Sequence, residues 1–302
     1  MRETRMGRWL WAQPYVLLCL TMLMWGGNAI AGRLAVGEVS PMVITFGRWL
    51  IAGSALMVFA RREIFAEIRS LAPYWRRIAL MGVMGFTGFN ALFYESAHHT
   101  TAVNLTILQG SIPVIVLLGA LLIYRTPVAP VQYVGMIVTT LGVLVLASRG
   151  DISVLLGLAF NIGDVWMLIA CVLYAGYTLG LRKRPPVSGL TLFAAFASVA
   201  IVTALPLVAI EGARGDLQLP SWKGLLIVAY VGFFPSLLSQ LFFMRGVELI
   251  GPGRAGLFVN LVPVFGAFLA VVILSEPFGL HSAVALALVI GGIYVAERIG
   301  RR

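Results

Sequence analysis

Residues 101–124 read TAVNLTILQGSIPVIVLLGALLIY, a run without a single charged side chain. The hydrocarbon core of a bilayer is about 30 Å thick and takes about 20 apolar residues of helix to cross. This run is long enough. It is also too continuous for a barrel strand, which alternates in polarity over about ten residues. Residues 251–274 read GPGRAGLFVNLVPVFGAFLAVVIL, and a shift of 150 lays Pro113 on Pro263. One crossing helix and a distant copy of it set the expectation for the rest of the chain.

The whole chain of 302 residues agrees with that start. It is 60% hydrophobic and 11% charged, with a mean hydropathy of +0.96. Soluble domains carry about 25% charged residues to face water, and disorder needs high charge with low hydrophobicity. Both are excluded. Ten apolar spans follow, at about 14–36, 41–60, 78–97, 101–124, 130–147, 164–182, 188–210, 222–244, 253–274 and 280–297. Proline, glycine and polar runs separate them: Gly37 to Pro41, Arg61–Arg77, His98–Thr101, Thr126-Pro127, Arg149–Asp151, Lys183–Pro186, Glu211–Pro220, Gly251–Gly253 and Ser275–Pro277. The piece Ile152–Ile162 is apolar but too short to cross, and reads as an interfacial segment. Cys19 and Cys171 both lie inside apolar runs, which suggests neither a disulfide framework nor a thiolate metal site.

The net charge of +10 is a matter of orientation. With ten spans and a cytoplasmic N-terminus, 17 of the 22 basic residues fall inside: Arg2, Arg5, Arg8, the five arginines of 61–77, Arg125, Arg182, Lys183, Arg184, Arg245, Arg254, Arg298, Arg301 and Arg302. Arg149, Arg214 and Lys223 fall outside, and Arg33 and Arg48 lie within spans. This asymmetry is the positive-inside rule; it argues for an inner membrane with both termini cytoplasmic and against nucleic acid. The basic start, the apolar run and Ala29-Ile30-Ala31 imitate a signal peptide. The run of about 22 residues is long for one, and cleavage would destroy the repeat, so span 1 is expected to stay.

The shift of 150 also lays Phe93 on Phe243, Pro127 on Pro277 and Gly142 on Gly292; a shift of 149 lays Gly27 on Gly176 and Arg33 on Arg182. Five spans per half is an odd number, so the second half enters the membrane upside down. The expected architecture is an all-α polytopic membrane protein, ten transmembrane helices as two inverted five-helix repeats around a central cavity, an arrangement widespread among secondary transporters. The divisions are a cytoplasmic tail 1–13, a first repeat 14–147, an external connector 148–163, a second repeat 164–297 and a cytoplasmic tail 298–302. Duplication without a mechanistic role is the plainer alternative.

Leu23-Met24-Trp25-Gly26-Gly27-Asn28, with Pro41 and Arg48, resembles the opening of EamA-type carriers of the drug/metabolite transporter superfamily. Gly163-Asp164 and Tyr174-Ala175 resemble the same element reopening in the second half. Asn260 to Pro263, Ser275-Glu276-Pro277 and Gly291-Gly292 resemble the ending of a half. The resemblance covers about residues 14–297 and implies a ten-helix carrier with a central cavity. It implies substrates among amino acids, purines, drugs and sugar derivatives. The group includes aromatic-amino-acid exporters of the YddG type, a subgroup that none of these motifs singles out. One departure is clear: Arg125-Thr126-Pro127 stands where the family usually shows Glu-Pro.

Polar side chains inside apolar helices are costly and face a partner or a cavity. Trp25 and Asn28 share a face of span 1, Asn90 and Tyr94 of span 3, Asn104 and Ser111 of span 4 with Gln109 nearby, Tyr174 and Tyr177 of span 6, and Ser236 and Gln240 of span 8, while Asn260 lies on span 9. The set reads as a substrate cavity of amides and aromatic rings, against the alternative of interhelical hydrogen bonds worth about 0.6 kcal/mol each. Such a cavity suits a small neutral or zwitterionic metabolite; sugar phosphates would want a Lys/Arg clamp. Arg48 is deep enough to need a partner or carbonyls, Arg33 can snorkel, and Arg245 pairs with Glu248 at i,i+3. Glu95 with His98 and His99 is either a proton-coupling cluster or a solvated loop. Gly110 with Pro113 and Pro263 with Gly266 are expected hinges, since proline removes a helix hydrogen bond and kinks; static kinks are the alternative. There is no Walker A sequence, H-E-x-x-H or G-x-S-x-G. No catalytic residues, cofactor, metal or obligate protein partner are therefore expected, and a membrane enzyme or channel stands as the rival reading.

Overall fold

The computed structural model describes residues 9–125, 129–151, 153, 161–251, 255 and 258–295. Outside these lie residues 1–8 of the first expected tail and all of the second, 298–302, most of the expected interfacial segment 152–162, Thr126 and Pro127, and Pro252 to Arg254 at the start of the ninth span. The described residues contain helices and no strand. In chain order the helices are α1 (Pro14–Ala35), α2 (Pro41–Phe59), α3 (Arg61–Glu67), α4 (Trp75–Gly82), α5 (Phe89–His99), α6 (Ala102–Gln109), α7 (Ile112–Tyr124), α8 (Pro130–Ala147), α9 (Ile162–Gly180), α10 (Gly189–Ala213), α11 (Trp222–Val231), α12 (Ser239–Ile250), α13 (Val262–Leu274) and α14 (Leu280–Tyr294). A π-turn, Val83–Gly88, joins α4 to α5, and another, Gly232–Leu238, joins α11 to α12.

Seven helical stretches among the described residues are long and apolar enough to cross a membrane, and three shorter apolar helices lie at Pro130–Leu146, Val259–Leu274 and Leu280–Tyr294. Their outward faces carry Leu122, Ile123, Ile137, Phe268 and Val272, each at least 60% exposed. Lipid, not water, suits such a surface. The punctuation seen in the sequence sets the ends. Proline occupies the first turn of α1, α2, α7, α8 and α13, where its missing N–H has no helical partner to lose. Thr101, Ser188 and Ser221 accept hydrogen bonds from the N–H three residues on. Arg125 and Ser275, 150 residues apart, end α7 and α13 in the left-handed region at φ 52° and 54°.

One expectation is corrected. Residues 61–77 are not an open polar break; they are helical, running from α3 through the 3-10 stretch Ile68–Tyr74 into α4. Ile64, Leu71 and Ile78 recur at seven-residue steps and are buried, while Arg61, Arg62, Arg69, Arg76 and Arg77 are exposed. The amphipathic period explains the difference: charge on one face does not forbid a helix whose other face is covered.

The helices pack α8 on α14, α2 on α10, α9 on α5 and α7, α1 on α12 and α13, and α6 on α13. Three carboxylates tie helix starts to distant segments. Glu276 accepts from the N–H groups of Ala102 and Val103 at 2.9 and 3.0 Å, with Arg33 Nε 3.8 Å away. Glu211 accepts from Ser40 Oγ at 2.6 Å and Met42 N at 3.2 Å. Glu67 accepts from Ser188 N at 2.8 Å. Each meets backbone N–H groups that helix geometry leaves unpaired, at the positive end of the helix dipole. In the turn before α2, the Ser221 hydroxyl and then the Lys223 ammonium hold the Glu38 carboxyl below its ordinary range.

α1 and α13 touch backbone to backbone: a Cβ built on Gly26 would lie 2.8 Å from Gly266 N. Gly26→Val should therefore force the two helices apart and cost about 1–3 kcal/mol. Gly291, with no heavy atom within 4 Å of a Cβ, is the control. Thermal unfolding in detergent should show a lowered midpoint for Gly26→Val and none for Gly291→Ala; equal behaviour of the two variants would contradict the close crossing.

Candidate functional site

The two π-turns bracket the most polar place inside the bundle. A π-turn widens the helix by one residue per turn and leaves carbonyls free of their usual i+4 partners. In the first, Phe86 O accepts from Asn90 Nδ2 at 2.6 Å and from Trp49 Nε1 at 3.1 Å. In the second, which contains Pro235, Ser236 Oγ donates to Val231 O at 2.6 Å. These bonds aim the Asn90 carbonyl oxygen and a Ser236 lone pair the same way, at Arg48 on α2.

Arg48 is only 4% exposed. Its Nε donates to Ser236 Oγ at 2.8 Å; its Nη1 donates to Tyr94 Oη at 2.6 Å, to Asn28 Oδ1 at 3.4 Å and to Asn90 Oδ1. Tyr94 Oη in turn donates a hydrogen bond to Asn28 Oδ1 at 2.7 Å. The guanidinium also lies over the Trp49 and Tyr94 rings, 5.0 and 5.6 Å from their centroids. An arginine at the middle of an apolar helix costs about 2.5–3.5 kcal/mol on insertion scales. Hydrogen bonds to a charged group return about 1.5–3 kcal/mol each, so a shell of this size is what holds the side chain in.

Four of the residues expected to line a cavity, Asn28, Asn90, Tyr94 and Ser236, thus come together on one cation. The others lie apart from it. Trp25 donates to Ser239 Oγ at 2.9 Å and packs on Phe243 with centroids 5.4 Å apart. Tyr174 and Tyr177 join an aromatic cluster with Phe86, Phe89 and Phe196 at 5.0–5.6 Å. Asn104 Nδ2 reaches buried Asp164 at 3.2 and 3.3 Å, and Thr100 Oγ1 donates to the same carboxylate at 2.6 Å. Gln109 Oε1 is buried without a hydrogen-bond partner. Gln240 and Asn260 are half-buried. The expected hinge prolines, Pro113 and Pro263, sit in the first turn of α7 and α13. The helix break comes just before each, at Gly110-Ser111 and at the 3-10 turn Val259–Leu261. Gly266 meets Thr106.

Shallow hollows lie on outward faces, along Tyr15 to Leu23 with Phe265 and along Tyr133 to Leu141. Glu95 pairs with His99 at 3.4 Å, and His98 beside it is exposed. Sequence reasoning set Arg48 aside as a structural charge and gave no role to Asp164, Glu211 or Glu276. The usable signal was there for Arg48, a lone charge eight residues into an apolar span.

Sequence and structure comparisons place this geometry. The EamA-like transporter family matches the chain twice, over residues 13–148 and 161–297. The uncharacterized transporter YyaM of Bacillus subtilis (strain 168) is 24% identical over 95% of this chain and 94% of its own length. The uncharacterized inner membrane transporter YedA of Escherichia coli (strain K12) is 22% identical over 89% of this chain and 85% of its own. A solved crystal structure covers 96% of this chain and 98% of its own with a TM-score of 0.66 at 19% identity, a likeness of fold alone. The relatives are named as transporters, not as enzymes. With its apolar helical stretches and two family matches over most of its length, this membrane protein belongs to the EamA-like transporter family.

Proposed function

We propose that the chain is a secondary transporter of the inner membrane that exports small neutral or zwitterionic metabolites, foremost amino acids, the aromatic ones included. The observation that carries this reading is the Arg48 knot. It gathers polar groups from α1, α2, α5 and the second π-turn at the centre of otherwise apolar helices, and buried polar groups in lipid mark substrate paths. The aromatic cluster around Tyr174 and Tyr177 offers flat faces beside it, which supports aromatic substrates.

The mechanism is alternating access by two inverted five-helix repeats, ten crossings in all. The double family match supports the repeat, as do the π-turns at 83–88 and 232–238 and the left-handed helix ends at Arg125 and Ser275. A central cavity opens when the knot parts, first to one side and then to the other, with bending at the breaks before Pro113 and Pro263. Both termini are cytoplasmic, in keeping with the basic residues of 61–77 and 182–184 on one side.

Counterflow in proteoliposomes tests the activity. Neutral amino acids inside should accelerate uptake of the same labelled compound outside; transport confined to phosphorylated or polyanionic compounds would end this reading. Orientation has its own test. On a Cys19→Ser, Cys171→Ala background, single cysteines at the exposed positions Arg69 and Asp216 should react with an impermeant thiol reagent in intact cells only at 216. Labelling at 69 instead reverses the topology. Bending is checked with Pro113→Ala and Pro263→Ala separately: each should keep substrate binding and slow exchange, because a flexible first turn is replaced by one that extends the helix. Wild-type exchange rates in both variants would remove the hinge.

A further inference from the structure

The Arg48 shell solvates a charge without neutralising it. All four hydrogen-bonding partners, Asn28, Asn90, Tyr94 and Ser236, are neutral. No ion pair among the described residues includes Arg48. Acids of the bundle are engaged elsewhere: Asp164 with Thr100 and Asn104, Glu211 with Ser40 and Met42, Glu276 with the start of α6, Glu67 with Ser188, Glu38 with Ser221 and Lys223, Glu95 with His99 and Glu248 with Arg245. The bonds of Arg48 run through Nε and Nη1, and among the described residues none runs through Nη2. The Nη2 amino group is left to donate, and a carboxylate oxygen is the strong charge-assisted acceptor that suits it.

We propose that Arg48 receives a carboxylate carried by the transported compound, so that substrates bear one carboxylate group. This deepens, and rests on, the export reading. The partners of Arg48 come from helices of both halves: Asn28, Asn90 and Tyr94 from the first and Ser236 from the second. Parting of the halves takes Ser236 Oγ away from the cation. A carboxylate restores what is lost and makes the occupied site neutral, which lowers the electrostatic cost of enclosing it in the membrane. One guanidinium with no lysine beside it matches one negative charge, so monocarboxylates are selected over phosphate dianions. The Trp49 ring, 4.5 Å from Phe86, covers one face of the guanidinium.

The test uses the full chain, purified and reconstituted, with four probes of matched side chain: phenylalanine, 3-phenylpropanoate, phenethylamine and phenylalaninamide. Binding is read by ligand-dependent thermal shift in detergent and transport by counterflow in proteoliposomes. Wild-type protein should bind phenylalanine and 3-phenylpropanoate and exchange phenylalanine, while the amine and the amide bind at least about tenfold more weakly. Arg48→Gln should erase the preference for the carboxylates, and Arg48→Lys should keep the preference with weakened binding, since a point charge replaces the fork. The wild-type panel alone decides the matter if the glutamine variant does not fold. Equal binding of phenylalanine and phenylalaninamide by the wild type, or undiminished carboxylate binding by a folded Arg48→Gln, overturns the assignment. Exchange of the amine and the amide without the acids overturns the carboxylate assignment and leaves the export reading standing; absence of binding and exchange for the whole panel overturns both.

Discussion

A guanidinium set among apolar helices has to be solvated by the protein itself, because lipid offers no hydrogen bond. Much of the centre of this molecule follows from meeting that demand at Arg48. The acceptors must come from several helices, since one helix face cannot surround a planar cation. They must also be aimed. Asn90 and Ser236 are aimed by giving their own protons to carbonyls that the π-turns expose, at Phe86 and Val231. Tyr94 is aimed by its bond to Asn28. The π-turns, otherwise an irregularity in two long helices, thereby become the means by which neutral side chains are directed at a charge.

Farther from the centre the same accounting applies to backbone. Helix starts near the membrane surface leave N–H groups unpaired, and Glu67, Glu211 and Glu276 meet them from segments distant in sequence. These links serve as clasps between elements as much as caps. Between the clasps, helices are held by close approach, as where Gly26 lies against the backbone of α13. Packing of this kind depends on small residues because lipid tails give apolar side chains no preference for one another. A protein so assembled can separate along glycine-lined crossings while its helices stay intact.

The departure at Arg125-Thr126-Pro127 shows the limit of reading by resemblance. In the second half, Glu276 caps α6 and stands 3.8 Å from Arg33; the first half has Thr126 in the matching place and so has no carboxylate to offer there. Arg125 and Ser275 end their helices in the same left-handed conformation, yet the residues that follow them differ in chemistry.

Run length and hydropathy were enough to identify a helical membrane protein, because lipid leaves a chain few ways to satisfy its backbone. The helix ends at Pro14, Pro41, Pro130, Ser188 and Ser221 were legible for a local reason: capping and proline geometry involve neighbours only a few residues apart. Helix periodicity likewise placed Asn28, Asn90, Tyr94 and Ser236 on faces that could meet. What no periodicity contains is the partner across the bundle. That Arg48 is the centre of those four residues and that Asn104 turns away to Asp164 both depend on contacts between residues 20 to 188 positions apart in sequence. Local sequence sets which groups need a partner; only the packed bundle decides which partner each one finds.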